Sequence, residues 1–356
     1  MFRKHDDVLK IFQSYKKIFL VIAALLAAVF ISALSSADAF FGVKKFIEKY
    51  IFHMSSMLPL IFIKYNREKI ILLAKILCVG IVISNISVLV QALPRLSNED
   101  WRFGGVLTIM SQATLLAMSL PNFLLLSIYF ERRRLKIFFG FAAAIGLAAT
   151  LLNGTRGAWL AVAILIPAAI LLVSKNKIKS FGAILAAAAI IGGVVFMTPK
   201  FSERVASITN MQMQSNSERL LMWRSALNMF EDNPIFGVGY GQYKFAYQNI
   251  YIMPEAKERD LSHAHNNFVQ MLAECGIVGL ASFIFMWIYF SYFSLRGWLQ
   301  RKNVACLIFF FGLWGMMLHG FTEFNFETAV NSKLFWFSLG LCLAYSRSEK
   351  IIPLKI

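Results

Sequence analysis

The stretch Ser262-His263-Ala264-His265-Asn266-Asn267 puts two imidazoles at the head of an apolar run that continues to about Phe293. An imidazole titrates near neutral pH, so His265 or His263 can take a proton from a hydroxyl group. Zinc binding would need two further ligands. His319 and Glu323 are available for it, but the spacing is a weak metal pattern. A histidine that only satisfies a helix start is the competing account. A second polar group, His319-Gly320-Phe321-Thr322-Glu323-Phe324-Asn325, stands at another span boundary. Polar groups at membrane depth are costly and are often kept for function. Pairing of Glu323 with an arginine is its structural alternative.

Three more clusters could handle an anion. In Asn153-Gly154-Thr155-Arg156-Gly157, Arg156 offers a permanently charged fork suited to phosphate oxygens. It could equally anchor a span by snorkelling. In Arg219-x-x-x-Trp223-Arg224, Arg219 and Trp223 share one helix face. A guanidinium and an indole suit a sugar phosphate, although an amphipathic helix lying on a bilayer has the same pattern. Gly237-Val238-Gly239-Tyr240-Gly241 could turn backbone N–H groups toward an anion, or be a plain flexible turn. A dinucleotide-binding reading fails, because no strand precedes it and no helix opens directly from it.

The elements that must position these residues are membrane spans. The chain has 356 residues, is 58% hydrophobic and has a mean hydropathy of +0.63. Apolar runs of about twenty residues recur, long enough for roughly 30 Å of hydrocarbon. Ten spans are expected, near 18–35, 47–63, 70–93, 106–130, 135–152, 157–174, 180–198, 264–293, 304–319 and 333–346. The basic run before the first span is long for a signal peptide, so Ala37-Asp38-Ala39 is not expected to be a cleavage site. The fold class is therefore all-α and multi-pass.

The net charge of +17 first suggests nucleic acid, but the basic residues sit in short blocks between spans. With the N-terminus inside, the blocks Lys64/Arg67/Lys69, Arg132–Arg134/Lys136, Lys175/Lys177/Lys179, Arg296/Arg301/Lys302 and Arg347/Lys350/Lys355 all fall on the cytoplasmic side. The long 199–263 loop balances seven basic with seven acidic residues and falls outside. So do Arg156, His265 and Glu323. Within that loop, Ser215-x-x-Glu218 looks like a capping box for a helix over 219–230. The expected organisation is one membrane domain: spans over 1–198, an extracytoplasmic element over 199–263 and spans over 264–356. Cys78, Cys275, Cys306 and Cys342 read as buried hydrophobes, without a C-x-x-C pair.

These residues resemble a known family. His265-Asn266, nine residues, Gly276, two residues and Gly279 match the H-[NSQ]-x9-G-x-x-[GTY] signature of bacterial O-antigen ligases. The stretches Asn233–Gly241, Arg219-x-x-x-Trp223 and Thr155-Arg156-Gly157 are similar to the wider ligase/polymerase superfamily. The resemblance covers roughly 150–330. It implies a GT-C-like fold of about twelve spans and an inner-membrane enzyme with a periplasmic active site. The implied donor is a glycan on undecaprenyl diphosphate, and the implied acceptor is a sugar hydroxyl of lipid A–core. It implies inverting transfer without cofactor or metal, consistent with the absence of any D-x-D in the long loop. His265 would be the base, and Arg219 and Arg156 would stabilise the leaving diphosphate. Trp223, Arg224, Gly239, Tyr240, His263, Asn266, His319 and Glu323 would serve substrate binding. Membrane lipids would surround the helices, and no nucleic acid is expected. An O-antigen polymerase and a protein O-oligosaccharyltransferase are the nearest alternatives. A lipid-linked glycan transporter is less favoured, because the span interiors are nearly free of charge.

Overall fold

A computed structural model describes residues 3–95 and 102–347. Lys350 and Lys355, assigned above to the cytoplasmic tail, lie outside the described residues. The helices in chain order are α1 (His5–Ser14), α2 (Lys16–Leu34), α3 (Ala39–Phe46), α4 (Phe52–Met54), α5 (Leu58–Phe62), α6 (Arg67–Ala92), α7 (Ile109–Tyr129) and α8 (Arg133–Asn153). They continue as α9 (Arg156–Val173), α10 (Lys177–Met197), α11 (Pro199–Ala206), α12 (Gln214–Asp232), α13 (Tyr243–Ala246), α14 (Asn267–Arg301), α15 (Val304–His319) and α16 (Ala329–Arg347). No sheet occurs among the described residues.

Seven of these helices (α2, α6, α7, α8, α9, α10 and α14) are long and apolar enough to cross a membrane, and α15 is a shorter apolar helix. The protein is thus an all-α, multi-pass membrane protein. The expected span over 47–63 is not one helix. Its backbone passes through a π turn at Ile47–Ile51, α4, a 3-10 turn at Ser55–Met57 and α5. The reason is local. Ser55 and Ser56 hydroxyls donate to the carbonyls of Phe52 and His53, and Pro59 has no N–H to offer. The predicted helix over 219–230 forms as part of α12, but the capping box does not. The helix starts one turn earlier, at Gln214, and the Glu218 carboxylate instead accepts the Lys257 and Glu258 N–H groups at 3.0 and 3.1 Å.

The described residues form two compact units, and neither is a continuous stretch of chain. One takes the residues up to Ile71, Met211–Phe310 and those from Gly320 onward; the other takes Leu72–Asn210 and Phe311–His319. The long loop is therefore divided between them near 210. In the second unit, α7 is buried along most of its length by α8 and α9. A polar ladder crosses its interior: Ser84 donates to Gln112 Oε1 at 2.8 Å, and Gln112 Nε2 donates to Asn85 Oδ1 at 2.9 Å. Helix α10 has no buried residue, and its Ile, Val and Phe side chains face outward on all sides. A helix apolar all round suits lipid rather than water.

In the first unit, α2 and α12 pack on α14. Helix α14 is broken at Gly276, whose φ and ψ are 61° and −160°. The break releases two carbonyls and two N–H groups, and the 233–241 turn takes all four. Val238 N and Gly239 N donate to Ala273 O and Glu274 O at 2.9 and 3.1 Å. In return, Ile277 N and Val278 N donate to Pro234 O and Ile235 O at 2.9 and 3.4 Å. Ser32 Oγ of α2 adds a second donor to Glu274 O at 2.7 Å. A Cβ on Gly276 would lie 2.4 Å from Ile235 O, and one on Gly237 would lie 2.4 Å from the Glu274 backbone. Only glycine permits this exchange.

Candidate functional site

The histidine segment is fixed from three directions within the first unit. Asn266 is the N-cap of α14; its Oδ1 accepts from Phe268 N and Val269 N at 2.8 and 3.1 Å. Trp223 of α12 donates its indole N–H to Ala264 O at 2.9 Å, and Ala264 N donates to Gln270 Oε1 at 2.7 Å. The 320–326 loop is then zipped to the head of α14. Asn266 Nδ2 donates to Phe321 O at 3.0 Å, and Asn267 N donates to Gly320 O at 2.8 Å. Asn267 and Asn325 pair in both directions: Asn267 Nδ2 donates to Asn325 Oδ1 at 2.9 Å, and Asn325 N donates to Asn267 Oδ1 at 3.0 Å. Each such bond contributes about 1 kcal/mol net. Their joint effect is to carry Glu323 to His265.

His265 Nδ1 lies 3.1 and 3.2 Å from the two carboxylate oxygens of Glu323. The Glu323 side chain is 6% exposed, and the His265 side chain is 24% exposed. An ionised carboxylate only accepts, so Nδ1 carries the hydrogen. In that tautomer the free lone pair lies on Nε2. His265 also sits at φ 49°, an uncommon conformation for a non-glycine residue that costs of order 1–3 kcal/mol. His263 packs edge-on to it, ring centroids 4.3 Å apart. Burial, reinforced by the neighbouring His265, pushes the His263 pKa down to about 4, so His263 is neutral at pH 7. Arg219 lies on α12, one turn before Trp223. Burial pulls its guanidinium below the usual range, and the Glu323 and Glu258 carboxylates oppose that pull.

The structure brings together His263, His265, Asn266, Glu323, Trp223 and Arg219. It places other expected site residues differently. Gly239 and Tyr240 do not line an open path. Gly239 is pressed on Ser36 and its N–H is spent on Glu274 O, so the turn latches the broken helix rather than an anion. Tyr240 is fully buried between Tyr50, Lys45 and Glu327. Arg224 is exposed on α12. Trp223 braces the histidine segment through its indole N–H. His319 belongs to the second unit, where its Nδ1 meets the Thr114 hydroxyl at 2.8 Å.

Arg156 is also in the second unit. It begins α9 and is 9% exposed, which excludes a snorkelling role. Its Nη1 donates to Ser207 O at 2.5 Å and to Ser207 Oγ at 3.2 Å. Arg204 closes the same turn by donating to Gly154 O at 2.9 Å. Sequence reasoning missed Asn267, Asn325 and Gln270 as positioning residues. Asn267 is the first of the nine residues inside the signature, but its partner lies 58 positions away.

The helices define an integral membrane protein with a His–Glu pair, its carboxylate buried and its imidazole partly exposed, at the head of a kinked helix. Residues 141–284, about two-fifths of the chain, match the family model described as O-Antigen ligase. It begins in α8 and ends in α14, past both signature glycines. An uncharacterized protein of Haemophilus influenzae is 24% identical over 247 residues, 64% of this chain and 62% of the relative. The chain thus spans about three-fifths of that relative's length.

Proposed function

We propose that this protein is an O-antigen ligase. It transfers a glycan from undecaprenyl diphosphate to a sugar hydroxyl of lipid A–core, with inversion, at the periplasmic face of the inner membrane. The observation that carries this reading is the His265–Glu323 pair: a carboxylate holds Nδ1 and leaves Nε2 as the base. The acceptor hydroxyl gives its proton to Nε2 as its oxygen attacks the anomeric carbon. The carbon–oxygen bond to the diphosphate breaks, and both electrons leave with the phosphate. Glu323 stabilises the imidazolium as it forms. General-base help of this kind contributes about 10²–10⁴-fold.

Arg219 is the guanidinium nearest in role to the departing diphosphate. Removing one such electrostatic donor costs about 10²–10³ in rate in other enzymes. Assignment of Arg156 to the same charge rests on the resemblance of the Thr155-Arg156-Gly157 turn. In this chemistry the guanidinium charges take the place of a divalent ion.

The test is transfer by purified protein with undecaprenyl-diphosphate glycan and lipid A–core in EDTA. Glycan on the core supports ligation. Chain growth on the lipid carrier would make the protein a polymerase, and glycan movement without bond exchange would make it a transporter. Loss of transfer in EDTA, restored by a divalent ion, would overturn the metal-free chemistry.

A further inference from the structure

The same geometry has a second chemical capacity. One ligand atom each from His263, His265 and Glu323 lie within 4.8 Å of one another. Two imidazoles and a carboxylate are a borderline N/O donor set that suits zinc, cobalt and nickel better than magnesium or calcium. In a tetrahedral site with metal–ligand distances near 2.0–2.1 Å, two ligand atoms stand about 3.3 Å apart. His265 Nδ1 and Glu323 Oε2 are already 3.1 Å apart. Only a small side-chain adjustment brings in His263, whose ring is packed against His265. The segment needs no refolding, because Trp223, Gln270 and Asn266 hold its backbone.

We infer that His263, His265 and Glu323 form an inhibitory binding site for a divalent first-row transition ion, occupied in place of the His265–Glu323 hydrogen bond. The consequence for catalysis follows from the tautomer. A metal on Nδ1 takes the lone pair that faces Glu323, and the imidazole proton moves to Nε2. No proton is gained or lost by the ring. The nitrogen that would accept the acceptor's proton becomes a donor, and the base is silenced. This inhibitory half rests on the function proposed above; metal binding itself does not. The Arg219 charge opposes a cation here, since Arg219 is close enough to Glu323 to feel its carboxylate. That charge lowers the affinity relative to the same three ligands without it. Removing the Arg219 charge should tighten it.

The test uses tag-free full-length protein in nanodiscs, titrated with Co²⁺ and followed by its visible absorption. The expected result is one ion per chain with the intense bands of a tetrahedral site. His263→Ala, His265→Ala and Glu323→Gln should each weaken binding at least tenfold, and Arg219→Gln should strengthen it several-fold. His263→Cys keeps three ligands and should bind cobalt with an added thiolate-to-metal band, which shows that loss in His263→Ala is not unfolding. In the transfer assay, Zn²⁺ should inhibit over the range in which it displaces cobalt, and EDTA should reverse it. No site-dependent cobalt spectrum at about 100 μM, or a spectrum unchanged by the three ligand variants, would overturn the site. Cobalt bound at this site with transfer undiminished or increased would overturn the inhibitory role. A protein that transfers nothing under any condition would overturn the proposed function, and the cobalt titration would still decide the site.

Discussion

Gly276→Ala tests whether the broken helix is the framework of the site. An alanine at 276 would have to hold φ at 61° with ψ at −160°. That conformation costs an L-residue roughly 1–3 kcal/mol. Its Cβ would lie 2.4 Å from Ile235 O and 2.7 Å from Gly237 N. Both are backbone atoms, so neither can swing aside as a side chain would. The turn must retreat, and at least two of the four exchanged hydrogen bonds between 234–239 and 273–278 must lengthen past use. At about 0.5–1.5 kcal/mol each, that adds roughly 1–3 kcal/mol, for a total of about 2–6 kcal/mol. With roughly 2–4 °C per kcal/mol, the midpoint should fall by about 10 °C. The measurement is thermal unfolding in nanodiscs, with hydrogen exchange read at Val238 and Gly239. Gly192→Ala is the control, since nothing lies within 4 Å of its added Cβ and its φ is ordinary. A Gly276→Ala protein that melts within about 2 °C of the parent, with both amides still protected, would refute the latch.

Three further outcomes follow from the same atoms. Glu323→Gln should lower kcat about 10²–10⁴-fold with little change in KM, because a neutral amide neither fixes the Nδ1–H tautomer nor stabilises the imidazolium; a loss under threefold would count against the pair. Arg219→Lys should keep a charge yet lose the fork, and so restore only a small part of the activity lost in Arg219→Ala; full activity in the lysine variant would show that a point charge suffices. Burial drives the Glu327 carboxyl, in the loop before α16, up to about 7, with Lys45 opposing. A carboxyl raised in the folded state contributes stability that is present below its unfolded value near 4.5 and lost as pH rises through about 7. Glu327→Gln should therefore raise the melting temperature at pH 8 and leave it nearly unchanged at pH 4.5; a gain of equal size at both would show that charge is not the cause.

Much of this was legible in the chain. The apolar runs gave the multi-pass class, and seven helices meet the length and composition that spanning requires. The His265–Glu323 proximity was within reach because both residues were polar outliers at span boundaries. The turn over 237–241 was harder. Its glycines announced a close approach, and an anion was one partner that could explain it. The actual partner is another backbone, that of residues 273–278, and its availability depends on a helix break that apolar composition hides. Glu218 failed as a cap for the same kind of reason: Lys257 and Glu258, some forty residues on, present better-placed N–H groups than its own helix start. Trp223 had the right face but the wrong partner, since an indole N–H inside a protein seeks the nearest free carbonyl, here Ala264 O.

The α12 motif of the long loop and the histidine signature also explain each other. Helix α12 is tied to the histidine segment at Trp223 and, just past its end, to the α14 break at Pro234 and Ile235. The first part of α14 begins at Asn267, beside that same segment, and ends at Gly276. From 223 to 232 and from 267 to 276 the rise is the same, nine residues at 1.5 Å, about 14 Å. Two matched stretches of helix, running the same way and fastened at both ends, leave Arg219 little freedom relative to His265. The nine-residue gap in the signature is then a length rather than a composition: it is the distance that lets one latch and one N-cap engage at once. In the proposed transfer, a guanidinium on α12 and an imidazole just before α14 need such a rigid frame, because electrostatic help to a leaving group depends on charges already in place when the bond breaks.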